Sequence, residues 1–208
     1  MNEQAYSAIV IGASAGGMEA LIALLSGLPE GFGLYLLVVQ HLHPSDRGRL
    51  ARQLDNTLEL SVSEACDKEE LRTGQVYFAP ANYHLLVEQN ETLALSVDER
   101  VNWSRPSIDV LFDSAARVWG HRLVGVILTG ANSDGAAGLR CIAEHGGLTV
   151  VQDPDSARSA EMPRAAIEAV TVDRILPLEK IGSFLRSLDP GCCERKELAE
   201  KNNGECKP

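Results

Sequence analysis

Short apolar runs alternate with stretches of helical period along most of the chain. Ala8-Ile9-Val10-Ile11 is such a run, and its length suits a parallel strand buried on both faces. It passes through Gly12-Ala13-Ser14-Ala15-Gly16-Gly17 into a segment where Met18, Leu21, Ile22 and Leu25 recur at helical spacing. Leu34 to Val39 predicts a second buried strand, closed by Gln40-His41-Leu42-His43-Pro44, and Leu50 and Leu54 suggest a modest helix after it. In the middle the rhythm changes. Leu58, Leu60 and Val62 alternate with polar residues, Gln75 to Phe78 is short and β-rich, and two apolar triplets flank Gln89-Asn90-Glu91. This region predicts an antiparallel edge or side hairpin rather than another βαβ unit. The α/β rhythm then resumes. Ile108, Leu111, Phe112, Ala115, Ala116 and Trp119 share one helical face, Leu123 to Leu128 is a strand, and Gly130 to Gly135 a polar loop. A helix over Ala136 to His145 stops at Gly146-Gly147, and Leu148 to Val151 is a further strand. Helices around Pro163 to Ala169 and Ile181 to Leu188 complete the series. The expected architecture is α/β: a doubly wound, mostly parallel sheet with an antiparallel β-hairpin addition.

Two divisions are expected, a folded domain over 1–190 and a polar, disordered tail over 191–208. That tail carries four acids against four bases, so the chain's net charge belongs to the folded body. At 208 residues and 45% hydrophobic, the chain can bury a sizeable core, and with 5% aromatics that core must be mainly aliphatic. A net charge of −10 repels phosphate backbones and argues against a nucleic-acid partner. No apolar run reaches the roughly 20 residues that span a bilayer, and Met1-Asn2-Glu3-Gln4 lacks the features of a signal peptide. The five cysteines show no Cys-x-x-Cys spacing, which suits free thiols in a cytoplasmic protein.

In an open α/β sheet, ligands bind beyond the carboxyl ends of the strands. Three such ends carry unusual polar residues: Ser14, His41 and Asp134. A serine hydroxyl is a poor nucleophile until an imidazole takes its proton, and a carboxylate fixes that imidazole's tautomer. Gly12-Ala13-Ser14-Ala15-Gly16 fits the G-x-S-x-G nucleophile elbow in its strand-turn-helix context, and backbone N–H groups after the serine could hold an oxyanion. The same loop is one substitution from a dinucleotide fingerprint, but the second strand ends in Gln40-His41 with no acid for a ribose, and no Walker lysine follows. His41 and His43 with Asp46 or Asp134 form an alternative metal set, against which Pro44 argues by ending the extended segment. Asp134 before Gly135 also reads as the N-cap of the next helix. Ser107 or Pro106 starts the helix that follows, and Arg105 could reach the site.

With these residues placed, the chain resembles the catalytic domain of the chemotaxis methylesterase family, CheB, over about residues 6 to 188. The resemblance rests on Ile11 to Gly17, Val39-Gln40-His41, Gly74 to Pro80, Arg105-Pro106-Ser107-Ile108-Asp109, Gly125 to Gly130 and Asp134 to Leu139, in one order. It implies Ser14 as nucleophile, His41 as general base and Asp134 as the acid that orients it. It also implies hydrolysis of glutamate γ-methyl esters on chemoreceptor signalling helices, with glutamine deamidation as a second activity, and no metal or organic cofactor. Ala15 stands where the family usually has threonine, and Gly130-Ala131-Asn132 where it has Gly-Met-Gly. Backbone N–H groups of Ala15 and Ala131 are the expected oxyanion donors, and Arg105 a substrate contact. With the first strand beginning at Ala8, the family's usual N-terminal receiver domain is expected to be absent, so that phosphorylation control either lies elsewhere, as in a separate regulatory protein, or does not exist. A substrate side chain on another protein's helix calls for a shallow groove. Two other readings stay open: a sensory binding partner weakened in catalysis, and a small-metabolite esterase, which would need a closed apolar pocket.

Overall fold

The computed structural model describes residues 6–43, 45–189 and 191. Seven parallel strands form the central sheet: β1 (Ala8–Ala13), β2 (Tyr35–Gln40), β3 (Ser61–Glu64), β4 (Gln75–Phe78), then β7 (Leu123–Ile127), β8 (Leu148–Gln152) and β9 (Arg174–Leu176). A separate antiparallel pair, β5 (His84–Val87) and β6 (Leu93–Ser96), lies between β4 and β7 in sequence. The helices are α1 (Gly17–Leu25), α2 (Arg49–Asp55), α3 (Ile108–Trp119), α4 (Ala136–Glu144), α5 (Glu161–Ala169) and α6 (Leu178–Ser187). Strand order is β3-β4-β2-β1-β7-β8-β9. The chain goes from β1 to β2 and the edge strand β3, returns to insert β4 between those two, and then crosses to β7 and winds outward through β8 and β9. The β1/β7 boundary is therefore the topological switch point where such sheets bind ligands.

The apolar runs form strands because both faces of the sheet are covered. Ile9, Ile11 and Ala13 of β1 join one core with Leu21 and Leu24 of α1 and Ile181 and Leu185 of α6. Ala8 and Val10 point the other way, into a core with α3, α4 and α5. That second core also takes Leu85, Val87 and Leu93 of the small hairpin, which is why the pair sits on the α3 side. The face predicted from Ile108 to Trp119 is the buried face of α3.

The middle of the chain needs a correction. The 84–96 hairpin is antiparallel and lies outside the main sheet, as expected, but β3 and β4 continue the parallel sheet instead of forming an antiparallel edge. The strand β9 was not anticipated. Apart from Gly191 the polar tail, with Cys192, Cys193 and Cys206, lies outside the described residues, and Cys66 and Cys141 are free thiols. Among the described residues no helix is long and apolar enough to cross a membrane.

Candidate active site

Ser14 leaves the end of β1, His41 the end of β2, and Asp134 the loop after β7, so three adjacent strands deliver them to one sheet edge. The turn that carries Ser14 is made possible by Gly16, whose φ of +79° opens α1 from a left-handed residue. The Ser14 N–H donates to the Thr129 carbonyl at 2.9 Å, which ties the β1 loop to the end of β7. Gln40, buried at the end of β2, donates through Nε2 to the carbonyls of both Ser14 (2.9 Å) and His41 (3.0 Å).

His41 Nδ1 lies 3.2 Å from Ser14 Oγ, and its Nε2 lies 2.8 Å from Asp134 Oδ2. Asp134 is fully buried. Burial by itself would push its carboxyl up. Hydrogen bonds from His41, Asn102, the Ile108 amide and Ser107 outweigh that and hold it below the ordinary carboxylate value. An ionised carboxylate only accepts, so Nε2 carries the proton and Nδ1 presents its lone pair to the Ser14 hydroxyl. The ring is used in the opposite sense to the chymotrypsin arrangement, where Nε2 faces the serine.

Asp134 does not cap the helix that follows it, since α4 starts from Gly135. It caps α3 instead. The amides of Ile108 (2.7 Å) and Asp109 (3.3 Å), the first two residues of α3, donate to its carboxylate. The favourable field of a helix N-terminus therefore acts on the acid behind the histidine. Ser107 sits at the start of α3 as predicted, yet its hydroxyl donates to Asp134 Oδ1 at 2.8 Å and accepts no amide of its own helix.

Two asparagines complete the site. Asn132 accepts the Asp134 N–H on Oδ1 at 3.1 Å, which directs its Nδ2 toward His41 Nδ1 at 3.3 Å. Asn102 Nδ2 donates to Asp134 Oδ1 (2.9 Å) and to Asp109 Oδ2 (2.7 Å), bridging two carboxylates. Burial pushes the Asp109 carboxyl up, and the Asp134 charge adds to this despite a hydrogen bond from the Gly138 amide. Asn102 and Trp103 both have positive φ, +51° and +63°. For a side chain as large as tryptophan this costs on the order of 1–2 kcal/mol.

A cleft of about 120 Å³ opens beside His41, lined by Leu42, Arg100, Trp103, Ser104, Arg105 and Pro106. Arg105 does reach the site, but its Nη1 donates to the carbonyls of Val97 (2.6 Å) and Asp98 (2.8 Å) and so also pins the 97–98 loop. Among the described residues the N–H groups of Ala15 and Ala131 have no acceptor, whereas that of Ser14 is already engaged. His43 bonds Ser45 outside this constellation, and buried His84 braces the Ser107 amide and the Glu99 carbonyl. Sequence reasoning placed Ser14, His41 and Asp134 together, and the structure brings them into one hydrogen-bonded chain. Roles for Gln40, Asn102, Asn132 and the Ser107 hydroxyl were missed. A polar Gln ending an apolar run was the one local signal available for them.

The family described as CheB methylesterase matches residues 9–185. A Leptospira interrogans protein, provisionally named protein-glutamate methylesterase/protein-glutamine glutaminase, is 52% identical over 191 residues, covering 92% of this chain and 99% of that one. An Anaeromyxobacter dehalogenans protein-glutamate methylesterase/protein-glutamine glutaminase is 44% identical over 180 residues, and the match covers 86% of this chain but 52% of that protein. The crystal structure of the Thermotoga maritima CheB methylesterase catalytic domain superposes with a TM-score of 0.84 at 36% identity, over 88% of this chain and 99% of that one.

Proposed function

The chain belongs to the CheB methylesterase family, and on that premise we propose that it hydrolyses glutamate γ-methyl esters on chemoreceptor signalling helices through Ser14, His41 and Asp134. The observation that carries this reading is the unbroken chain from Ser14 Oγ to His41 (3.2 Å) to buried Asp134 (2.8 Å). His41 Nδ1 takes the Ser14 proton as Oγ attacks the ester carbonyl. A positioned base of this kind contributes about 10²–10⁴-fold. The resulting imidazolium keeps its Nε2–H on ionised Asp134. The oxyanion is held by the free N–H groups of Ala15 and Ala131, each worth on the order of 10²-fold or more. His41 then passes its Nδ1 proton to the methoxy oxygen and methanol leaves. Water, deprotonated by the same nitrogen, attacks the acyl-serine and releases glutamate with Ser14 restored. With a glutamine substrate, ammonia leaves in place of methanol. The hydroxyl absent at Ala15 is no obstacle to this scheme, because Gln40 and Asp134 already hold the histidine's backbone and ring.

The cleft beside His41 is far below the roughly 300–1,000 Å³ of small-molecule sites, which favours a side chain offered by another protein over a free metabolite. The reading also places the enzyme in the cytoplasm, with those receptor domains. Methanol release from a methylated receptor fragment tests it. The wild type is expected to release methanol, and Ser14→Ala to lose about 10³-fold or more while its circular dichroism stays unchanged. A folded wild type that releases none, and that a fluorophosphonate fails to label at Ser14, would instead be a binding partner without catalysis.

A further inference from the structure

We infer that the tight turn 101–104 is the element that reads the substrate helix, with Trp103 packing on an apolar residue next to the ester-bearing glutamate. The inference deepens the methylesterase reading and rests on it. Val101 and Ser104 exchange both backbone hydrogen bonds (3.2 and 2.9 Å), and the two residues between them both have positive φ, the signature of a type I′ turn. Such turns favour Asn at the first central position and Gly at the second. Here the second is Trp103, a side chain that gains nothing from the backbone it occupies and is 93% exposed. Strained residues of this kind persist where surrounding structure holds them, and they gather at ligand clamps.

The structure that holds this one is the candidate active site. Asn102, the other central residue, donates to Asp134 and Asp109, so the turn is fixed to the acid behind His41. Trp103 lines the same cleft as His41, whose Nδ1 is 3.2 Å from Ser14 Oγ, which sets the turn beside the approach of a segment that delivers an ester to Ser14. Arg100 and Arg105 line that cleft as well, giving a positive wall in a chain of net charge −10. A glutamate-bearing helix, which gains a carboxylate at each turnover, is complementary to that wall. Residues three or four apart share one helix face, so the position Trp103 covers is i±3 or i±4 from the reacting glutamate.

The test follows tryptophan emission of the Ser14→Ala protein during titration with a methylated cytoplasmic fragment of a chemoreceptor. The chain has two tryptophans, and Trp119 is buried, so Trp103 dominates any response. Emission is expected to shift to the blue on binding. In the same background Trp103→Gly is expected to weaken Kd about tenfold, and Trp103→Phe to recover most of that loss. Glycine adopts positive φ freely, so the Gly variant should melt no lower than its parent. Binding without a blue shift, or an unchanged Kd in Trp103→Gly, overturns the inference. Methanol release by the wild type from the same fragment is measured in parallel. Its absence overturns the methylesterase reading, whereas release together with an unchanged Kd removes only the role given to Trp103.

Discussion

Asp134 is at once the partner of His41 and the cap of α3, and in both it serves as an acceptor, which its ionised form meets in full. Asp134→Asn would leave a side chain that cannot accept from Nε2–H, Ser107 and two helix amides together. On the proposed mechanism turnover is expected to drop about 10³–10⁴-fold, measured as methanol release. The same substitution should alter stability against pH. The folded carboxyl titrates below the ordinary value of about 4, so its contribution is fully present above that value and is lost as pH falls through the depressed one. Asp109 has the opposite sign. Its folded carboxyl titrates higher, and its contribution declines as pH rises from the ordinary value through the raised one. Urea unfolding between about pH 2 and pH 5 should therefore show a shallower loss of stability toward acid in Asp134→Asn than in the wild type. Ser14, His41 and Asp134 were legible in the sequence because strand ends and a glycine-rich loop mark where they emerge. Asn102 and Asn132 were not, because each is defined by contacts to residues from other elements that only the fold brings near.

At the scale of elements, the close approach of α1 to β2 sets the geometry of the serine turn. A Cβ on Gly17 would collide with Gln40 Oε1, and that amide's Nε2 holds the carbonyls of Ser14 and His41. Gly17→Ala should displace the Gln40 side chain and move both candidate residues by a fraction of an ångström. A fall of about 10- to 100-fold in kcat is expected, against a smaller loss in Tm. The pattern of strands was legible where both faces are buried, as in β1, β2 and β7. It misled at β3, where Ser61 is exposed and Val62 buried. A strand solvated on one side alternates whether its neighbour runs parallel or antiparallel, so periodicity could not give its direction. Strand β9 is three residues long with two of them exposed, and it offered no apolar run to find.

Across the whole molecule, two cores on opposite faces of one sheet hold the β1/β7 boundary still, and the candidate site is built on its edge. Leu36 of β2 is fully buried in the core that includes α1 and α6. Leu36→Ala should cost about 3–5 kcal/mol in chemical denaturation, the range for a leucine that leaves a cavity behind. The fold class could be read from sequence because alternating strands and helices admit few topologies. The assembly of the site followed from it, since three neighbouring parallel strands end on the same side.

The capping of α3 by Asp134 bears on how relatives of this protein could lose their activity. A chain that stopped hydrolysing esters would still gain from the carboxylate that anchors α3, so selection for folding alone would favour keeping it. Ser14 Oγ, by contrast, bonds only to His41 among the described residues, and nothing in the fold would miss it. In degenerate descendants the serine would drift first and the aspartate would outlast it, which makes the serine the position that sorts working copies from silent ones.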